Sequence, residues 1–324
     1  MDFDTAQETA FCFLSAPDVL KSSAGGRQIM SSNKSVLFII ITAVCFGTME
    51  IALKFGAEDF TALQMTFLRF FIGGLFLLPF ALHDIRKRKI RITKGDMLYL
   101  AALGLIGVCL SMTCFQLGVM NSNANTAAVI ISANPVFTMI FAYFIIHEAF
   151  TKRKALVLLV SIAGLIFVAN PANMAEGNTA KGLIFSAVSA VTFSLYTTLG
   201  KLRVERLGGM VQNSFSFLIA SAAELVFLLV RGEPVVEGIS TATLPVVLYA
   251  GIIVTGIGYF SYMKAIEQAG PSNASIAFFI KPVIAVLLAA VILKEQITWN
   301  IILGVVLILA GSVINLCGGR KGTR

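Results

Sequence analysis

The sequence contains ten apolar runs, and these constrain the fold more than any other feature of the chain. Each run is close to the roughly 20 residues that a helix needs to cross a bilayer. Because backbone groups inside lipid have no water to pair with, each run is predicted to be helical. The predicted spans are residues 35–53, 61–82, 96–119, 124–146, 154–170, 180–200, 210–230, 243–265, 273–293 and 299–317.

The composition agrees with a membrane location. Hydrophobic residues make up 57% of the chain and charged residues only 13%, whereas about 25% of the residues in a soluble domain are charged. A soluble fold would lack the polar residues that its surface needs. The formal net charge of +8 comes from Lys and Arg grouped in short gaps. That grouping, without a basic stripe interleaved with aromatic residues, argues against nucleic-acid binding.

Positive charges are divided unevenly among the gaps. Residues 121–123 carry none and residues 171–179 carry only Glu176, whereas the alternate gaps and the C-terminal tail are basic. Because cytoplasmic loops are rich in Lys and Arg, the basic gaps and both termini are predicted to be cytoplasmic. The basic residues are Arg86, Lys87, Arg88, Lys89, Arg91, Lys94, Lys152, Arg153, Lys154, Lys201, Arg203, Arg206, Arg320, Lys321 and Arg324.

No functional role is predicted for the first thirty residues or for the five cysteines. Residues 1–30 are mixed in polarity, and the apolar stretch Ala10 to Leu14 is too short and too early for a signal peptide. These residues are predicted to be a disordered N-terminal extension or the product of an upstream start codon. The cysteines form no CxxC or Cys/His spacing, which predicts no disulfide, no metal site and no cofactor. They are Cys12, Cys45, Cys109, Cys114 and Cys317.

An internal repeat relates the two halves of the chain. A single shift of 147 positions aligns Pro135 with Pro282 and Glu148 with Glu295. The same shift also aligns the following residues: Ala43, Val44, Phe46 and Lys54 with Ala190, Val191, Phe193 and Lys201; Ala127 with Ala274; Thr151 with Thr298; and Ala163-Gly164 with Ala310-Gly311. Agreement of Pro, Glu, Thr and Gly at one offset is far harder to obtain by chance than agreement of Ala or Val.

The repeat predicts an all-α membrane protein made of two inverted units. Residues 31–170 form the first five-helix unit, and residues 171–324 form the second unit with a short basic tail. An odd number of spans makes the second unit enter the membrane from the opposite side, an arrangement typical of secondary transporters. The chain has no GxxxxGK[ST] phosphate loop, so ATP is not expected to bind by that route.

Four motifs resemble the drug/metabolite transporter superfamily, in particular its EamA-like ten-helix members. They are Phe46-Gly47-Thr48 followed by Lys54, Leu68-Arg69-Phe70, Asn134-Pro135 with Glu148, and Lys281-Pro282 with Glu295. The resemblance covers residues 35–317 and implies transport of a small molecule. Phe46 stands where the family usually carries Trp, and Glu50 stands where an apolar or small residue is usual.

Ionisable residues inside spans are costly and are therefore candidates for function. Lys281 precedes Pro282 in an apolar run, and Pro282 cannot donate a backbone N–H to the carbonyl of Phe278. Lys281 is predicted to bind an anionic substrate group, with snorkelling to the interface as the alternative. Its repeat mate Asn134 precedes Pro135 and is predicted to orient substrate, or else to form an interhelical hydrogen bond. Both prolines are predicted helix breaks.

Glu50 and Lys54 are four residues apart on the first helix. This spacing predicts either a local ion pair near the outer interface or a proton-coupling carboxylate at Glu50. As a feature of the family that the chain resembles, Arg69 is interpreted as a structural brace between helices, and Glu224 in the seventh span is left without an assigned role. Glu148 and Glu295 are interpreted as structural anchors at helix ends.

Neutral groups complete the candidate site. Gln116, Tyr196, Tyr259 and Tyr262 are predicted to line a cavity, although a Tyr is also an ordinary residue of the membrane interface. Small residues let helices approach closely; they are Gly104, Gly107, Ser111, Gly251, Thr255 and Gly258.

The leading functional hypothesis is a secondary transporter that exports small polar metabolites such as amino acids by alternating access. The alternative is proton-coupled efflux of cationic drugs, with Glu50 as the coupling acid. An intramembrane enzyme is disfavoured because the spans contain no mid-span Asp and no His except His147 at an edge. The expected partners are a small substrate, the lipid of a bacterial cytoplasmic membrane and, as a coupling ion, protons. The chain is expected to be a monomer or a weak dimer.

Overall fold

A computed structural model describes residues 33–147, 151–169, 177–269, 274 and 277–318. The described residues form an all-helical bundle. The predictions for residues 1–30, for Glu148 and for the basic tail from Arg320 lie outside the described residues.

The helices of the first half are labelled α1 to α5. They are α1, Asn33–Gly47 continued by Met49–Phe55; α2, Ala62–Arg88; α3, Lys94–Gly104 continued by π-helical Leu105–Met112 and by Thr113–Met120; α4, Ala124–Ile131 and Asn134–Ile145; and α5, Lys152–Ala169.

The helices of the second half are labelled α6 to α10. They are α6, Ala180–Lys201; α7, Gly209–Arg231; α8, Leu244–Leu248 continued by π-helical Tyr249–Ile257 and by Gly258–Ala269; α9, Ala277–Ile292; and α10, Trp299–Gly318. A short helix, Val204–Leu207, joins α6 to α7.

Seven helices within the described ranges, α1 to α4 and α6 to α8, are long and apolar enough to cross a membrane. Their bounds agree with the predicted spans to within a few residues, except that α2 continues to Arg88 on an exposed, charged turn. Shorter apolar helices occupy the other three predicted spans: Lys154–Val168, Ile280–Ile292 and Trp299–Gly311. The prediction of membrane helices is confirmed, and the total of ten spans stays a prediction.

The outer surface of the bundle is apolar. Large hydrophobic side chains such as Leu98, Leu159 and Val230 are exposed. A soluble protein rarely leaves so many apolar side chains in water, whereas lipid accommodates them at no cost. The outward-facing residues therefore explain why the composition exceeds what a soluble core needs.

The packing of the helices repeats between the halves. Helix α1 packs against α8 and α9, and its counterpart α6 packs against α3 and α4. Three counterpart pairs also contact each other directly: α2 with α7, α4 with α9, and α5 with α10. Every one of these contacts is unchanged when the two halves are exchanged, which is the behaviour of a bundle with a pseudo-two-fold axis.

Counterpart helices cross in opposite directions. A Cβ on Gly304 of α10 would touch Val168 of α5, whereas a Cβ on Gly311, seven residues later, would touch Ser161 and lie near the Val157 carbonyl. Partner numbers fall along α5 as they rise along α10, so these two helices are antiparallel. An axis parallel to the helices would have left counterparts parallel.

Within the described ranges, α1 is interrupted at Thr48, and three further helices, α3, α4 and α8, also depart from regular α geometry. Helices α3 and α8, which are counterparts, both contain a π-helical stretch, a feature frequent at functional sites. Helix α4 is interrupted at Ser132 and Ala133, and Pro135 lies in the first turn of its second segment, where a missing N–H costs nothing. Helix α9 instead stays helical through Pro282. The predicted break is thus absent there, because neighbouring helices can support a membrane helix that contains proline.

Candidate functional site

A small cavity lies where the two halves meet. Four pairs of residues related by the 147-residue shift face it from both sides: Phe46 and Phe193, Met112 and Tyr259, Ile131 and Phe278, and Asn134 and Lys281. The pseudo-two-fold axis therefore passes through the cavity. The other lining residues are Met49, Arg69, Phe70, Ser132, Val254 and Thr255. Its free volume of about 30 Å³ holds about two water molecules.

A buried ion pair joins the halves beside this cavity. Lys281 Nζ of α9 lies 2.8 Å from Glu50 Oε1 of α1, and both side chains are almost completely buried. Among the described residues, no group donates a hydrogen bond to Glu50 Oε2. Charges placed in a low-dielectric region are expensive unless they are paired, so the contact between the two side chains offsets part of the cost of burying them. The Lys281 ammonium also lies 5.6 Å from the centre of the Phe115 ring, within cation–π range.

Lys281 does not snorkel to an interface, because its side chain is only 5% exposed. Glu50 does not form the predicted ion pair with Lys54. Lys54 Nζ instead donates to the carbonyl oxygens of Val119, at 3.0 Å, and Ser122, at 2.7 Å. The spacing of four residues on one helix suggested a local pair, but the second half of the bundle offers Glu50 a cation at the cavity.

Asn134 lies across the cavity from its counterpart Lys281. Its Oδ1 accepts hydrogen bonds from Ser194 Oγ, at 2.7 Å, and Thr138 Oγ1, at 2.8 Å. These bonds fix the orientation of the amide. Asn134 therefore forms an interhelical hydrogen bond and also lines the cavity.

Arg69 of α2 lines the same cavity and is 1% exposed. Its guanidinium carbon lies 4.7 Å from the centre of the Phe70 ring. Glu224 of α7 and Glu50 interact with it electrostatically, but Arg69 Nε and Nη2 have no hydrogen-bond acceptor within the described part of the chain. Glu224 accepts instead from Thr113 Oγ1 at 3.2 Å.

Aromatic rings form one wall of the cavity. Phe46 lies 5.2 Å from Tyr259 and 5.9 Å from Phe278, measured between ring centres. Tyr262 stands behind them, 5.2 Å from Phe278 in an edge-to-face arrangement. These rings make the wall rigid and apolar.

The other neutral candidates lie outside the cavity lining. Tyr196 donates to Asn213 Oδ1 at 3.0 Å and packs over Gly107. Gln116 is buried, and its Nε2 donates to the carbonyl of Leu53 at 3.3 Å. Of the four neutral residues predicted to line a cavity, only Tyr259 is among the lining residues.

At the end of the bundle that contains the α3–α4 connection, hydrogen bonds join polar groups of the two halves. Glu295 accepts from the backbone N–H groups of Ala124, at 2.7 Å, and Asn125, at 3.0 Å, where α4 begins. A carboxylate is favourable at that position, because the first N–H groups of a helix lack partners. Gln64 of α2 donates to the carbonyl of Glu237 at 2.6 Å, and the side chain of Asn178 accepts from Asn123 N–H at 2.9 Å.

At the opposite end, which contains the α2–α3 connection, ion pairs and a hydrogen bond also join the two halves. Asp96 is buried, and its carboxylate pairs with Arg203, at 2.7 Å, and with Arg206. Arg88 donates to the Glu205 carbonyl at 2.5 Å. Ties between the halves therefore exist at both ends of the bundle in this conformation.

Sequence reasoning missed the phenylalanine side chains of the cavity lining and the position of Arg69 in the cavity. The repeat itself contained a usable signal, since Phe46 and Phe193 match at the same shift as the prolines. Arg69 gave no such signal, because its counterpart is Ser216.

A bundle of apolar helices in two related halves, with a charged cavity at their seam, defines a membrane transporter. Residues 33–170 and 180–317 each match the EamA-like transporter family. The chain belongs to this family, and it is a membrane transporter rather than an enzyme.

Relatives extend over nearly the whole chain. An uncharacterized transporter of Clostridium kluyveri is 39% identical over 296 residues, which cover 89% of this chain and 94% of the relative. The uncharacterized transporter YoaV of Bacillus subtilis is 26% identical, covering 87% and 96%. The uncharacterized inner membrane transporter YicL of Salmonella typhimurium is 25% identical, covering 91% and 99%. A crystal structure that is 18% identical has a TM-score of 0.63 and covers 90% of this chain and all of its own, which supports the fold alone.

Proposed function

We propose that this protein is a secondary transporter that exports small zwitterionic metabolites, such as amino acids, across a bacterial cytoplasmic membrane. Transport proceeds by alternating access, in which two five-helix halves rock about the central cavity. The observation that carries this proposal is the buried Glu50–Lys281 pair, which joins the halves at the cavity.

The two charges of the pair suit a substrate that carries both signs. An ammonium group on the substrate takes the place of Lys281 at Glu50, and a carboxylate takes the place of Glu50 at Lys281. The total charge of the cavity is then unchanged, so the exchange avoids leaving a bare ion in low dielectric. Asn134, which lines the same cavity, orients the substrate.

The same exchange supports alternating access. When empty, the pair holds α1 of one half against α9 of the other. Bound substrate separates the two side chains, which then contact each other only through the substrate. The interface between the halves is weakened, and the halves can move. The ties at the two ends of the bundle then break one end at a time. With both ends tied and room for only about two water molecules, the present conformation corresponds to the occluded state.

The proposed topology has ten spans with both termini in the cytoplasm. The antiparallel crossing of α5 and α10 supports an in-plane axis, and the basic connections Arg86–Lys94 and Lys201–Arg206 support the orientation. The end closed by Glu295 then faces outward, and the end closed by Asp96 faces the cytoplasm.

Counterflow in proteoliposomes tests the function. Vesicles loaded with one unlabelled α-amino acid at a time are given a trace of the same labelled compound outside, and we expect accumulation for a subset of the panel. The variant Glu50→Gln/Lys281→Met, which leaves the net charge of the site unchanged, is expected to abolish accumulation with folding retained. Normal counterflow in this variant, or accumulation of no zwitterion by the native protein, would overturn the proposal.

The alternative is proton-coupled efflux of cationic drugs with Glu50 as the coupling acid, which the complete burial of Glu50 favours. The pairing of Glu50 with Lys281 favours the zwitterion instead, because a monovalent cation at Glu50 would leave the Lys281 ammonium without its partner. Drug resistance conferred on a sensitive host, and lost in Glu50→Gln, would support the alternative.

A further inference from the structure

We propose that Arg69 binds the carboxylate of the transported substrate and that Lys281 joins it only after leaving Glu50. This inference rests on the proposed function, and it assigns a substrate-binding role to a residue whose position within α2 suggested a brace. It narrows the substrate class to compounds that carry a planar anionic group.

The guanidinium of Arg69 has hydrogen-bond donors without an acceptor among the described residues. Arg69 is 1% exposed, yet its Nε and Nη2 have no acceptor in the residues that the structure describes. Buried polar groups nearly always have partners, and an exception needs an explanation. Because Arg69 lines the cavity, an acceptor that enters the cavity supplies one.

The carboxylates of Glu224 and Glu50 already have other partners. Among the described residues, neither carboxylate accepts a hydrogen bond from Arg69 Nε or Nη2. Glu224 is held by Thr113, and Glu50 by Lys281. A residue that only braced the helices would direct its donors to the helices around it. The guanidinium carbon of Arg69 instead lies 4.7 Å from the centre of the Phe70 ring, and Nε and Nη2 have no acceptor among the described residues.

The two cations of the cavity, Lys281 and Arg69, differ in what they must give up in order to bind substrate. Lys281 is neutralised by Glu50 at 2.8 Å, so its ammonium must give up a partner before it can bind substrate. Among the described residues, Arg69 forms no ion pair that it would have to lose. Its planar fork also matches a carboxylate with two parallel hydrogen bonds, which an ammonium cannot provide. Arg69 is therefore the first contact for the anionic group.

Matched ligands test this assignment on the purified full-length protein. Binding of each α-amino acid in the panel and of its carboxamide is measured by ligand-induced thermal stabilisation. The native protein is expected to bind the acid about 10- to 100-fold more tightly than the amide, as for a hydrogen bond to a charged group. Arg69→Gln should bring this ratio close to one, and Arg69→Lys should give an intermediate ratio.

The control variant is Arg231→Gln, which removes an exposed guanidinium at the end of α7 and should leave the ratio unchanged. If Arg69→Gln folds and keeps the native ratio, Arg69 does not bind the carboxylate. If neither Arg69 variant folds, Arg69 is a brace and the inference is likewise overturned. If the native protein binds none of the acids, the proposed substrate class fails as well, which distinguishes the two failures.

Discussion

At the scale of single residues, the account depends on the Glu50–Lys281 pair. Removing one member leaves a buried charge without its partner, which costs roughly 3–5 kcal/mol, whereas replacing both by neutral groups is often close to neutral. We therefore expect Glu50→Gln and Lys281→Met each to lower the free energy of unfolding markedly, and the double variant to recover most of the loss. Thermal unfolding in detergent measures all three.

The Lys264–Glu267 pair on α8 is a matched control. Lys264 Nζ and Glu267 Oε2 lie 2.7 Å apart, but both side chains are partly exposed. Surface pairs contribute only about 0–1 kcal/mol, so Lys264→Met and Glu267→Gln should change stability little. Additive losses at Glu50 and Lys281 would contradict a coupled buried pair.

How far these residues could be predicted depended on local signals. Lys281 and Asn134 were identified because a polar residue before proline, repeated at one shift, stands out in an apolar chain. The partner of Lys281 could not be identified, because Glu50 lies 231 positions away and only the fold brings them together. For the same reason the cavity position of Arg69 was not predictable from its neighbours in sequence.

At the scale of elements, close helix crossings depend on glycine. A Cβ on Gly104 of α3 would collide with the backbone carbonyl of Ser216 on α7, and its counterpart Gly251 packs in the same way on Ile72 of α2. Overpacking such a contact costs about 1–3 kcal/mol. We expect Gly104→Ala to lower the melting temperature of the purified protein.

Gly200→Ala is the matched control, because a Cβ there meets nothing closer than Gln212 Oε1 at 3.7 Å. Replacing a helical glycine by alanine at a site with room stabilises a protein by about 0.4–1 kcal/mol. A melting temperature for Gly104→Ala as high as that of Gly200→Ala would show that the α3–α7 seam is not closely packed.

The elements were the most predictable part of the structure. Helix bounds follow from apolar length, and that signal is strong because lipid admits few alternatives. The π-helical stretches of α3 and α8 and the interruption of α4 have no such signal. Next to the interruption of α4, the hydroxyl of Ser194 on α6 donates to the backbone carbonyl of Asn134, and such a contact between distant positions cannot be read from the local sequence.

At the scale of the whole molecule, two related halves enclose one cavity and hold it at both ends. The repeat predicted this arrangement, since a shift that aligns Pro, Glu and Gly without a gap implies two copies of one unit. The ties that close each end could not be predicted, because they join residues of different halves. Glu295 with Ala124, and Asp96 with Arg203, are examples.

Two-sided access to the cavity tests the central claim most directly. Ser132, a small residue of the cavity lining, is replaced by cysteine in a background in which the five native cysteines are serine. A membrane-impermeant maleimide is then applied to intact cells and, separately, to inverted vesicles. The account predicts that Ser132→Cys is labelled from both sides and that a transported amino acid slows labelling. Labelling from one side only, under every condition and with exposed control cysteines reacting normally, would contradict alternating access.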